Sequence, residues 1–131
     1  MKLRIRGNSL RVRLTRSEIA QLAETGLIEN RVQLGALPDC ALVYRLELSG
    51  AAVRPETVFQ KSQICIRLPR AEAMAWSKGQ SIGIYSEEAW GLKLAIEKDF
   101  KCLEPRPDED QSDAFENPNG SSHPACATNA D

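Results

Sequence analysis

The chain has 131 residues and a mass of 14.5 kDa, enough for one domain with a modest core. Hydrophobic residues at 42% and charged residues at 27% exclude wholesale disorder, and 17 Lys plus Arg against 18 Asp plus Glu exclude a uniformly basic chain. The charges are unevenly placed: nine bases and five acids in residues 1–54, six and five in 55–98, two and eight in 99–131.

The opening Met1-Lys2-Leu3-Arg4-Ile5-Arg6 alternates charged and apolar groups and lacks the apolar run of an export signal. No window approaches the ~18 apolar residues of a membrane span. A cytoplasmic protein without membrane contact is expected, with its four cysteines as thiols.

Residues 2–6 and 10–14 both show the period of two that a half-buried strand needs, with Leu3, Ile5, Leu10, Val12 and Leu14 inward. Gly7-Asn8-Ser9 between them supplies a tight turn. Thr15 followed by Glu18 is a capping box. The short helix after it turns Ile19, Leu22 and Ala23 to one side and stops at Gly26. Residues 28–34 form a weakly patterned strand, Pro38-Asp39 a turn, and residues 42–48 a strong strand with Leu42, Tyr44, Leu46 and Leu48 on one face.

The same programme then repeats. Residues 10–18 align with 64–72, Gly26 with Gly79, and 42–47 with 92–97. The expected fold is mainly β (α+β): a single domain over 1–103, built from two ββαββ repeats of about 1–54 and 55–98. Their strands are expected to form an antiparallel barrel-like sheet with two short helices, because one repeat of this size buries too little surface alone and closure removes sheet edges. Leu22, Met74 and Trp76 are expected between helix and sheet, and Trp90 and Phe59 in core or shoulder packing. Residues 104–131 read as an acidic, Pro/Ser/Asn-rich tail, partly disordered, with Phe115 as a lone apolar anchor or binding motif.

Two resemblances enter here. Arg4-Ile5-Arg6-Gly7-Asn8-Ser9-Leu10-Arg11, with Glu97-Lys98-Asp99-Phe100-Lys101-Cys102-Leu103, Pro105-Arg106, Glu109-Asp110 and Asn117-Pro118, resembles an uncharacterised bacterial family, the domain of unknown function 7009. That family supplies no activity to transfer. Residues 7–14 with the following helix also resemble the swapped-hairpin module of MazE-type antitoxins and AbrB-type regulators, which implies dimerisation and a basic strand region that meets DNA. The second copy departs from this with Gln60-Lys61-Ser62, and Gly26-Leu27 and Gly79-Gln80 stand where a Gly-Asp step is usual.

Lys2, Arg4, Arg6, Arg11 and Arg13 form a basic surface on the first hairpin, able to meet phosphates or acidic side chains. It is expected to be a solvated face crossed by Glu47 and Glu97, with the tail acids Asp108, Glu109, Asp110, Asp113 and Glu116 as competitors for it. Asp99, Phe100, Cys102, Pro105 and Arg106 mark a C-terminal functional segment. Asp99, Cys102, His123 and Cys126 form a candidate soft-metal donor set at an unrecognised spacing. With neither a P-loop nor a dinucleotide fingerprint, no cofactor and no catalytic residues are expected. The leading expectation is a small non-enzymatic interaction module for a protein partner, as a monomer or weak homodimer. The alternatives are a DNA-binding regulator using the basic hairpin, and a small metal-binding protein or enzyme.

Overall fold

The computed structural model describes residues 1–100 and 112–116. Its elements run β1 (Lys2–Arg6), β2 (Ser9–Leu14), α1 (Arg16–Thr25), β3 (Leu27–Gln33), β4 (Ala41–Ser49), β5 (Glu56–Gln60), β6 (Gln63–Pro69), α2 (Arg70–Lys78), β7 (Gly83–Glu87) and β8 (Lys93–Lys98). This is the ββαββ unit twice over.

Local chemistry sets the boundaries. Gly7 turns β1 into β2 at φ 54°, while the second hairpin makes the same reversal with Lys61 at φ 51° and Ser62 at φ 60°, a left-handed pair strained for residues with a side chain. The Thr15 side chain accepts the Glu18 amide and Glu18 Oε1 accepts the Thr15 amide at 2.9 Å, so the capping box forms as expected. Gly26 ends α1 in the left-handed region and donates its N–H to Leu22 O at 2.8 Å. At the equivalent cap of α2 stands Pro69, which makes no side-chain hydrogen bond, and Gly79 leaves that helix extended rather than left-handed.

The strands form two four-stranded sheets: sheet A in the order β1-β2-β8-β7 and sheet B in the order β3-β4-β6-β5. Each sheet takes one hairpin from each repeat, and exchanging the repeats exchanges the sheets. The central pairs, β2 with β8 and β4 with β6, run parallel; the outer pairs are antiparallel. Even the connecting bonds repeat: Lys93 donates to Asn8 O at 3.0 Å where Val43 donates to Ser62 O at 3.1 Å.

The barrel expectation is therefore corrected. Neither sheet closes, and among the described residues no ladder joins one to the other. Where β7 approaches β5, a side chain crosses the gap: buried Glu88 accepts the Thr57 amide through Oε2 at 2.8 Å. On the opposite side the Tyr44 hydroxyl donates to Met1 O at 3.3 Å. The Glu88 carboxylate takes one amide that a neighbouring strand would otherwise bond, so this point of the β5 edge is satisfied without closure. The antiparallel expectation fails at the two central pairs, because alternation fixes which face is buried and says nothing of strand direction.

The inward faces share one core. Val12, Leu14, Leu46, Leu68 and Ile96 are its largest fully buried side chains, and both repeats contribute. Ile19 and Leu22 from α1 and Ala73 and Trp76 from α2 complete it, with Trp76 Nε1 donating to Ile82 O at 3.2 Å. The two helices touch each other and lie at the end where β2 and β6 finish. Two aromatic assignments are corrected: Phe59 and Trp90 are exposed, since both lie beside strand turns at the end away from the helices. Among the described residues no helix is long and apolar enough to cross a membrane.

Candidate functional site

Strand alternation sends the charged residues to the outer faces, and the register arranges them in rows. On sheet A the rows are Arg6–Ser9–Lys93–Glu87, Arg4–Arg11–Ala95–Tyr85 and Lys2–Arg13–Glu97–Gly83. The five basic residues singled out in the sequence thus share one face, joined by Lys93. On sheet B the corresponding rows are Gln60–Gln63–Val43–Arg31, Val58–Cys65–Arg45–Glu29 and Glu56–Arg67–Glu47–Leu27. There Arg31, Arg45 and Arg67 are matched by Glu29, Glu47 and Glu56. One outer face is strongly basic and its counterpart is balanced.

A carboxylate stands at the same place in each parallel seam. Glu97 Oε1 meets Arg11 Nε at 3.3 Å and Arg13 Nε at 3.7 Å. Glu47 meets Arg67 Nε at 2.8 Å and Arg45 Nη2 at 3.1 Å, and its carboxyl is held below the usual range, chiefly by the Arg67 hydrogen bond. Of the two seam carboxylates Glu97 crosses the basic face; the expectation that Glu47 does so is corrected, because β4 belongs to the other sheet. The second arginine changes strand between seams: Arg11 faces Ala95 on sheet A, while Arg45 faces Cys65 on sheet B. Burial, and then Glu47, push the thiol of buried Cys65 up, so this sulfur is a poor nucleophile.

The small Ala95 side chain leaves a concavity of about 600 Å³ on sheet A, lined by Arg4, Arg6, Arg11, Lys93, Ala95 and Tyr85 among others. Tyr85 is 59% exposed, and its hydroxyl donates to Glu97 Oε2 at 2.7 Å. Burial of the hydroxyl and that hydrogen bond push its ionisation up to about 12. The groove thus offers fixed positive charge and a neutral phenol, groups suited to holding an anion.

The remaining candidates separate. Asp99 lies at the helix end of sheet A, where its carboxylate meets Lys2 Nζ at 3.2 Å and its amide donates to Leu14 O at 2.9 Å. Its proposed metal-binding companions Cys102, His123 and Cys126 lie outside the described residues, as do Pro105 and Arg106. Among the described residues no three His, Cys, Asp or Glu side chains are grouped to hold a metal. Phe100 packs edge-on against Phe115 with ring centres 5.7 Å apart, and Lys98 Nζ lies 5.3 Å from the Phe115 ring centre, so Phe115 is an anchor on the domain. Asp113 is not on the basic face. It accepts the Ser17 amide at 3.1 Å at the start of α1, where hydrogen bonds from Ser17 and Thr15 hold its carboxyl low. Asp108, Glu109 and Asp110 lie outside the described residues.

Sequence reasoning missed Tyr85, Ala95 and Lys93. A signal existed, since aligning 42–47 with 92–97 sets Ala95 against Arg45, but only the row across three strands gives that difference a meaning.

The arrangement of half-repeats and the basic hairpin falls within the match of one family model, that of a family of unknown function (DUF7009), over residues 1–119. The chain belongs to this family. No curated protein and no solved structure matches the chain.

Proposed function

We propose that the protein is a small binding module that holds an acidic segment of a protein partner on the outer face of sheet A. The observation that carries this reading is the contrast between the two outer faces. The same four-stranded sheet is built once with Glu29, Glu47 and Glu56 alongside three arginines, and once with Lys2, Arg4, Arg6, Arg11, Arg13 and Lys93 in rows with Glu87 and Glu97. The fold therefore does not need the basic face, and like charges on adjacent strands weaken a sheet. The excess of cations on this face alone is what supports reading it as a binding surface.

The bounded groove favours a polypeptide over duplex DNA. A phosphate backbone is best met by an unbroken run of cations, whereas Glu87 and Glu97 interrupt this one. A short Asp/Glu peptide titrated at low salt is expected to shift the amide signals of β2, β7 and β8. Arg11→Glu and Lys93→Glu are each expected to weaken binding about tenfold, less at high salt where the charges are screened. Tighter binding of random duplex DNA than of the peptide at equal salt would transfer the reading to nucleic acid; indifference to both variants would remove it.

A further inference from the structure

We infer that the acidic segment carries an aromatic side chain, and that its ring enters a slot between the Arg11 guanidinium and the Tyr85 ring with Ala95 as the floor. This rests on the reading that the outer face of sheet A binds an acidic segment, and it names what that segment must present.

Arg11, Ala95 and Tyr85 occupy one row on β2, β8 and β7. Two strand spacings put the outer backbones about 10 Å apart, and only a methyl group stands between them. The Tyr85 hydroxyl reaches along β7 to lie over Gly83, and Arg11, Ala95 and Tyr85 line one concavity open to solvent. Both walls are braced by one carboxylate. Glu97, the next outward residue on β8, takes the Tyr85 hydroxyl on Oε2 at 2.7 Å and Arg11 Nε on Oε1 at 3.3 Å. A tethered ring and a tethered guanidinium lose little freedom when a ligand enters between them.

The other repeat is an internal control. At the position of Ala95, sheet B carries Arg45, whose guanidinium reaches Glu47 at 3.1 Å and Glu29 at 3.5 Å. There the chain's own side chain fills the row. On sheet A the arginine has moved to β2 and the tyrosine stands where Glu29 would be, which opens the row and lines it with a cation and a π face. These are the partners an aromatic ring prefers. Arg6 and Lys93 in the neighbouring row lie where carboxylates flanking that ring would fall.

The experiment compares two Asp/Glu peptides identical except for a central phenylalanine or alanine, titrated by calorimetry against the full chain. The phenylalanine peptide is expected to bind about tenfold more tightly, a difference equal to about 1.4 kcal/mol. Ala95→Leu, which fills the floor, and Tyr85→Ala, which removes a wall, are each expected to bring that ratio close to one. Either variant alone suffices if the other fails to give a dispersed amide spectrum. Equal binding of both peptides by the unaltered protein overturns the slot while leaving the acidic-segment reading intact. Binding of neither peptide overturns both.

Discussion

Leu14 and Leu68 occupy equivalent places in the two repeats, and both are fully buried in the shared core. Replacing either with alanine removes three buried carbons and leaves a cavity between sheets and helices, where the closely packed strands β2 and β6 have little room to collapse. The expected cost is about 3–4 kcal/mol for each, in the middle of the range for such changes. With a urea dependence of about 1.5–2 kcal/mol per molar for a chain of this size, the midpoint should fall by about 2 M in each variant. Far-ultraviolet circular dichroism reports the strands and intrinsic fluorescence reports buried Trp76, with exposed Trp90 contributing a flat background. Because each sheet holds strands from both repeats, the two probes should give one coincident transition in both variants. A near-neutral effect of one substitution beside a large effect of the other, or separate transitions by the two probes, would refute a single core built equally by both halves.

Glu88→Ala leaves the Thr57 amide at the covered gap between β7 and β5 without its acceptor; a loss of about 1–3 kcal/mol is expected, with faster hydrogen exchange at Thr57, and Glu88→Gln should lose less. Glu47 has a folded-state pKa below its unfolded value, so its contribution is complete above the ordinary carboxylate range and disappears as pH falls through the folded value. The stability gap between the unaltered protein and Glu47→Gln should thus be about 1 kcal/mol at neutral pH and close progressively below about pH 4, as read by urea midpoints; a gap constant with pH would remove the Arg67 pairing as its source.

Much of the fold was legible locally. The Thr15–Glu18 box, the Gly26 stop, the Leu37–Cys40 reversal and the inward set from Leu10 to Ile96 each follow from residue type and spacing. So does the duplication. What the pattern does not encode is which strand lies beside which. Alternation in β2 is satisfied equally by a parallel neighbour such as β8 or an antiparallel one, and nothing in Glu88 as a letter says that its carboxylate will cap the β5 edge. The site was half legible for the same reason. The five cations of the first hairpin lie close in sequence, whereas Tyr85, Lys93 and Ala95 join them only through the parallel pairing of β2 with β8. Phe59 and Trp90 show the converse limit: size and hydrophobicity favour burial, but beside the turns at the far end of the strands nothing among the described residues covers them.

The interleaving of the repeats also dictates an order of assembly during synthesis. Sheet B is drawn from the middle of the chain, with β3, β4, β5 and β6 emerging in succession from the ribosome, so it can pair as it appears. Sheet A joins a hairpin made before sheet B to one made after it, and β2 must wait for α1, all of sheet B and α2 before β8 appears. During that interval the apolar side of the β1–β2 hairpin is without the strand that will flank it, while the charges of its other side are of the kind that discourage edge-to-edge pairing.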